Sequence, residues 1–401
     1  MSSPAAQAAE RAARLAYGRL VAILAAGTRD VAAAEDALSE AFHTALRRWP
    51  EAGVPDNPEA WLLTAARRQH GHGRRHAAVR RGAEPTLRLL MQRDGPEVAE
   101  IPDRRLQLLM LCAHPAIAAE AQAPLMLQTV LGLDAARIAA CFLTAPATMA
   151  QRLVRAKARI RDAGIRFELP GPAELPPRLE AVMSAIYAAF GTGWADLLAE
   201  GKGGQGLAEE AIWLGRLLVA LLPEAPEPKG LLALMLYAES RRAARRDAAG
   251  GFVPLSAQNP SAWSRPLLAE AEALLRDASQ AATLGRFQIE AAIQSVHVEM
   301  RLTGADRGGA LLGLYDLLAQ LSPTAGVLVA RAAARAEAGQ ARAALGELDG
   351  MAEALALYQP WWATRAHVLD RLGQAEAARQ ARRRAAGLTE DPAVRAWLLA
   401  R

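Results

Sequence analysis

The chain has 401 residues, enough for two or three domains, and 52% hydrophobic residues against 22% charged ones exclude a disordered polymer. Two cysteines, Cys112 and Cys141, exclude a disulfide-stapled scaffold and fit a reducing cytosol. The formal charge of +5 is small for this length, so it carries meaning only where it is concentrated.

Alanine, leucine and arginine dominate while β-branched residues are thin, which predicts helix nearly everywhere. The opening stretch lacks the apolar core of a signal peptide. The most apolar run, Ala211–Leu222, is shorter than the ~20 residues a membrane helix needs, and Arg216 interrupts it. A cytoplasmic protein without membrane contact is expected. Residues 10–49 read as two helices. The second starts near Asp30 and repeats Val31, Leu38, Phe42, Leu46 and Trp49 at helical spacing, with Glu35, Asp36, Ser39 and Glu40 on its outer face. "PEAGVPDNP" (Pro50–Pro58) reads as a loop, and a further helix carries Trp61, Leu62 and Leu63.

The basic stretch "ARRQHGHGRRHAAVRRG" (Ala66–Gly82) holds Arg67, Arg68, Arg74, Arg75, Arg80 and Arg81 with no acid before Glu84. Gly71 and Gly73 each cost ~1 kcal/mol relative to alanine inside a helix, which predicts an early helix end here. His70, His72 and His76 have no cysteine or acid beside them to complete a metal site, so exposed histidines are the expectation. Residues 83–104 read as a linker. From Arg105 to Arg166 the pattern is helical with breaks near Pro115 and Gly132, and Cys112 and His114 read as a buried thiol and a helix-end histidine.

Leu133–Ile160, "LDAARIAACFLTAPATMAQRLVRAKARI", reads as two helices joined by a turn at Leu143–Pro146. Ile138, Met149 and Leu153 would form its small core, with Ala139 at the helix crossing. Thr148, Gln151, Arg152 and Arg155 would then face outward, as on a recognition helix, with Lys157, Arg159 and Arg161 extending the cationic side toward phosphate. A plain helical corner with a solvated basic back is the alternative on spacing alone.

"ELPGPAELPP" (Glu168–Pro177) reads as the clearest domain boundary. Beyond it, "AEAGQARAALGEL" and "DRLGQAEAARQAR" place Gly339 and Gly373 34 residues apart, the tetratricopeptide period, and Gly304 opens a looser copy. Glycine is expected there for a tight turn and close packing. Arg241–Trp263 reads as a long loop, Gly201–Gly206 as a flexible loop rather than a nucleotide site, and Trp361 and Trp362 as packing between repeats.

In these residues the chain resembles a known family. Leu133–Ile160 is similar, position for position, to the helix-turn-helix of the fourth conserved region of bacterial sigma-70 type factors. "ATMAQRLVRAK" is especially like a group of extracytoplasmic-function sigma factors with a tetratricopeptide-like C-terminal extension. "DVAAAEDALSEAFHTALRRW" resembles the second-region helix, and "GVPDNPEAWLLTAAR" the segment after it.

The resemblance implies an all-α protein: two small helical sigma-type domains (1–82 and 105–167) joined by linker 83–104, then linker 168–177 and a repeat domain over 178–401. It implies core RNA polymerase as partner, through the β′ clamp helices and the β flap, with Asp36, Glu40 and Phe42 in the contact helix. Promoter DNA would meet Thr148, Gln151, Arg152, Arg155, Lys157 and Arg159 at the −35 element. Asn57, Trp61, Arg67, Arg68, Arg74 and Arg75 would lie at the −10 element. No catalysis, cofactor or metal is implied. The repeats would regulate in cis or hold a protein regulator. The sequence departs from the family at Gly71, His72, Arg74, Arg137 and Leu143. Two other readings stay open: a DNA-binding transcriptional regulator, and a tetratricopeptide adaptor with a degenerate sigma-like part.

Overall fold

A computed structural model describes residues 4–79, 103–142, 144–195 and 204–400, side chains excepted at 14–15, 69–79, 140–141, 192–195 and 204–207. Among these the protein is all-α, and its single β-type pairing is an isolated bridge between Arg246 and Phe252. The chain divides into two compact units, Met1–Leu214 and Gly215–Arg401.

The first unit opens with α1 (Pro4–Thr28), α2 (Val31–Ala52) and α3 (Pro58–Val79), which pack on one another. Asp30 starts α2 by accepting a hydrogen bond from the Ala33 amide at 3.1 Å. Asn57 caps α3 the same way, from the Ala60 amide at 3.0 Å. Helix α2 runs through Pro50 to Ala52, so the loop is shorter than its proline-rich composition suggests. A proline in a last turn removes only one amide that the helix would have used. Helix α3 continues to Val79, past the early end expected from Gly71 and Gly73; propensity is a weak constraint on a helix of this length.

The second half of the unit is built around α5 (Ala119–Leu131), which α4 (Arg105–Cys112), α6 (Ala135–Cys141), α7 (Pro146–Asp162) and α8 (Leu175–Ala195) all touch. Helix α5 is apolar on most sides, as a hub must be, and buries Leu125, Met126, Leu127 and Val130. Cys112 lies fully buried with its Sγ 3.4 Å from the Thr129 hydroxyl, and burial pushes the thiol up to about 12, which makes it inert.

The expected boundary at 168–177 is not where the chain divides. Val182, Met183, Ile186 and Phe190 of α8 are buried, the helix packs on α4 and α5, and Arg178 donates to the Met110 carbonyl at 3.1 Å. The two segments expected as small domains, 1–82 and 105–167, pack on one another: α1 on α4 and α5, and α2 on α7. The expected linker 83–104 falls mostly outside the described residues.

The second unit begins inside α9 (Gly204–Leu221) and continues with α10 (Pro226–Ser240), α11 (Arg265–Ala278) and α12 (Arg286–Thr303). Between α10 and α11 the loop at 241–263 holds three short 3-10 turns. It is tied down by Arg241, whose buried guanidinium donates to the Tyr237 carbonyl and to Gln294 Oε1 on α12. Burial and the neighbouring Arg241 push the His297 imidazole down to about 4, so it is neutral near pH 7.

Then come α13 (Gly308–Leu321), α14 (Ala325–Glu337), α15 (Ala341–Asp349), α16 (Gln359–Arg371), α17 (Ala375–Gly387) and α18 (Pro392–Leu399), each packed on the next, with α14 also on α16. Gly304, Gly339 and Gly373 sit between paired helices at φ +73°, +83° and +70°. Open space surrounds all three. The turn therefore needs glycine for its left-handed backbone, and the close packing expected there is not the reason. Trp361 is buried in the shared core of α14–α16, donates to the Leu348 carbonyl at 3.0 Å, and meets Trp362 edge-on at 4.7 Å.

Gly339→Ala should destabilise the second unit by about 1–2 kcal/mol, the cost of a side chain in the left-handed region. Gly313→Ala, mid-helix in α13 with nothing near its Cβ position, should stabilise it by about 0.5–1 kcal/mol. Denaturant melts of the full chain check both signs; an unchanged Gly339→Ala would remove the backbone explanation of the repeat.

Candidate nucleic-acid interface

Helices α6 and α7 are joined by a short turn closed by the Thr144 amide, which donates to the Ala139 carbonyl at 2.9 Å. Pro146 occupies the first turn of α7, where its missing N–H costs nothing. Met149, Leu153, Ala156 and Ile160 form one buried stripe, and Ile138 and Ala139 of α6 are fully buried with them. The small core expected from the spacing is present, and it fixes the rotation of α7.

That rotation leaves Thr148, Gln151, Arg155 and Arg159 exposed and Arg152 half-buried. Arg152, Arg155 and Arg159 line a groove of about 400 Å³ whose opposite wall is Ala116–Ala118, Glu120 and Ala121. Arg159 reaches the Ala116 carbonyl at 3.4 Å and Arg155 the Gln151 carbonyl at 3.4 Å, both weak restraints on exposed side chains. Val154 is 64% exposed on this face, flanked by Gln151 and Arg155. A search of the sequence for polar residues passes over Val154. Its place one turn from Gln151 is the available signal, and an exposed apolar group there can meet a thymine methyl.

Lys157 is the exception among the expected DNA-facing cations. Its Nζ is 2.6 Å from Glu35 Oε2 on α2, with the two side chains only 13% and 10% exposed. Glu35, expected on the outer face of α2, is correspondingly buried. Burial raises its carboxyl pKa above the ordinary carboxylate range, against the opposing pull of Lys157. Its Oε1 has no hydrogen-bond partner among the described residues.

Asp36 and Glu40 remain exposed on α2, and Phe42 is half-buried. Leu46 is 49% exposed, so the apolar stripe expected on α2 does not close at that position. On α3, Arg67 and Arg68 are exposed. Trp61 is half-buried edge-on to Trp49 at 5.5 Å, so it packs within the three-helix group. The side chains of Arg74 and Arg75, and of His70, His72 and His76, lie outside the described residues. Arg137 is exposed and pairs with Glu210 at 3.3 Å.

Among the described residues no three His, Cys, Asp or Glu side chains converge as a metal site requires. No helix among them is long and apolar enough to cross a membrane.

These features define an all-α protein with a two-helix corner that presents cations and glutamine, followed by stacked helix pairs. The chain belongs to the same family as an uncharacterized protein of Rhizobium meliloti (strain 1021), with which it is 36% identical over 379 residues, 92% of this chain and 89% of that one. Residues 178–279 match a family of unknown function, DUF6596, beginning where the proline-rich stretch ends. No solved structure matches the chain.

Lys157→Met should destabilise the first unit by about 3–5 kcal/mol, the usual cost of leaving one member of a buried pair alone. Glu35 carries a raised folded pKa, so the folded form holds its proton more tightly than the unfolded chain does. The Glu35 contribution to stability is therefore fullest below the unfolded carboxylate pKa and is lost as pH rises through the folded one, while the depressed His297 contributes in the opposite direction. Lys157→Met should enlarge the Glu35 loss, read as the difference in stability between Lys157→Met and the same chain carrying Glu35→Gln as well. Denaturant melts between pH 4 and 8 follow that difference, and one that does not grow with pH would contradict the buried pairing.

Proposed function

We propose that this chain is a sigma factor: it joins core RNA polymerase and directs promoter-specific transcription initiation from the cytoplasm. The observation that supports this best is the exposed face of α7. Thr148, Gln151, Val154, Arg155 and Arg159 stand together on a helix whose opposite side is fixed by a buried apolar stripe. Arginine can bond guanine or phosphate, glutamine can bond adenine, and an exposed valine can touch thymine, so this face can both hold and read a major groove. The ordered resemblance of this helix, of "DVAAAEDALSEAFHTALRRW" and of the repeat tail to sigma factors adds the polymerase.

In this reading Asp36, Glu40 and Phe42 lie on the polymerase-contact helix. Arg67, Arg68, Arg74 and Arg75 track the −10 strand. The helix pairs of the second unit regulate in cis or hold a protein regulator, since stacked repeats present an extended surface.

Purified full-length chain mixed with core polymerase should co-elute with it and yield run-off transcripts from a promoter selected from genomic DNA. Arg155→Ala and Arg159→Ala should each weaken promoter binding and reduce the slope of log affinity against log salt by about 1. DNA binding without a polymerase complex would favour the regulator reading. Neither activity would leave the adaptor reading, and either result overturns the proposal.

A further inference from the structure

In the second unit, buried polar groups gather at the loop 241–263 and the helices beside it: Ser240, Arg241, Gln258 and Asp391. Arg241 is 9% exposed, yet among the described residues no carboxylate pairs with it. Its Nε and Nη2 donate to two neutral oxygens, the Tyr237 carbonyl and Gln294 Oε1. The charge of Arg245 is felt at Arg241. Arg245 and Arg246 stand near one buried carboxylate, Asp391, which Arg246 meets at 2.8 Å. Arg301 of α12 donates to the Gln258 carbonyl at 2.8 Å and has no carboxylate partner among the described residues.

Hydrogen bonds knit these residues into one layer. The Val253 amide donates to the Arg245 carbonyl at 2.9 Å, and Gln258 Nε2 to the Val253 carbonyl at 3.3 Å. Next to Trp263, the Ser264 amide donates to the Ser240 carbonyl at 2.8 Å. Four buried side-chain atoms of the layer have no partner among the described residues: the donors Arg246 Nη1, Trp263 Nε1 and Arg301 Nε, and the acceptor Gln258 Oε1. Gln258 and Trp263 are only 5% and 3% exposed, so bulk water does not serve them.

Buried donors are ordinarily satisfied, and a buried cation is costly unless an anion meets it. His297, beside Arg241, escapes that cost by shedding its proton, and is neutral near pH 7. The arginines have no such escape. Burial pushes Arg241 down only to about 10, so it keeps its charge near pH 7. Arg241, Arg245, Arg246 and Arg301 thus bring more fixed positive charge than Asp391 offsets. Several donors with surplus positive charge suit an oxyanion. The one acceptor narrows the choice, because Gln258 Oε1 needs an O–H to donate to it. Inorganic phosphate keeps a P–OH near pH 7, whereas sulfate and the dianion of a phosphate monoester have none.

We propose that the second unit binds one inorganic phosphate ion under the loop 241–263, held by Arg241, Arg246, Arg301 and the Trp263 indole, with Gln258 accepting from its P–OH. The bound ion supplies the missing negative charge and ties the loop to α12 and, through Arg246 and Asp391, to the start of α18. This site is independent of what the first unit does.

Titration calorimetry of the full-length chain with sodium phosphate, at constant ionic strength, should show saturable binding of one ion per chain. Arg301→Gln should weaken it by about tenfold or more, while Arg307→Gln, an exposed arginine paired with Glu299, should leave it unchanged. Arg246→Gln gives the same reading if Arg301→Gln loses helicity. Sulfate and methyl phosphate should bind about tenfold more weakly than phosphate, and Gln258→Leu should remove that preference. Followed by NMR, the His297 ring should titrate at higher pH with phosphate bound, because a nearby anion favours the imidazolium. No saturable binding at phosphate concentrations on the order of 10 mM overturns the site. So does equal affinity in Arg301→Gln, Arg246→Gln and Arg307→Gln, the result expected of diffuse charge attraction. Equal affinity for sulfate overturns the assignment to phosphate.

Discussion

Four apolar side chains on one side of α7 decide what the rest of the first unit can do. Once Met149, Leu153, Ala156 and Ile160 are buried, the helix cannot rotate, and each other residue has its direction set by ~100° steps around the axis. Gln151 and Arg155 fall opposite the stripe and face water. Lys157, two residues further on, falls at the edge of the stripe and meets Glu35 instead. The cations of α7 are thereby sorted into a solvent-facing set and an internal tie to α2 by geometry alone.

Much of this is legible in the sequence because it is local. The α6–α7 corner, its core of Ile138, Met149 and Leu153, the Asp30 helix start and the glycine turns at Gly339 and Gly373 all rest on spacings of a few residues. The burial of Cys112 and the packing of Trp361 come from the apolar runs around them. What escapes is non-local. Nothing near Glu35 marks it as buried, since its partner lies on another helix far along the chain. The proline-rich stretch before α8 signals a turn, but a turn separates domains only if the helix beyond it has no apolar face to return. Val182, Ile186 and Phe190 give α8 such a face, and α4 and α5 receive it.

The second unit obeys a different rule. Its paired helices depend on glycines that permit a left-handed turn and on small residues, Ala332, Ala336, Ala344 and Ala378 among them, that let neighbouring helices approach. Ion pairs run along the stack as well: Arg331 and Arg335 both meet Glu347 and Asp316, linking α14 to the helices on either side of it. Ahead of the repeats, the loop at 241–263 turns the buried Arg241 toward neutral acceptors on α10 and α12, and Arg301 of α12 donates in return to the loop's Gln258 carbonyl. Regular stacking and an irregular polar layer thus occupy one unit, and the DUF6596 match, over 178–279, includes the loop at 241–263 but not the repeats.

A photoreactive residue in place of Gln151, compared with one in place of Ile160, tests the assignment of the α7 face most directly. In a complex of the full chain with core polymerase and promoter, the probe at 151 should crosslink to DNA upstream of the start site. The probe at 160, on the buried side, should leave DNA unmarked. DNA crosslinked from position 160 and not from position 151 would mean that α7 presents its other side, and the assigned reading face would be wrong.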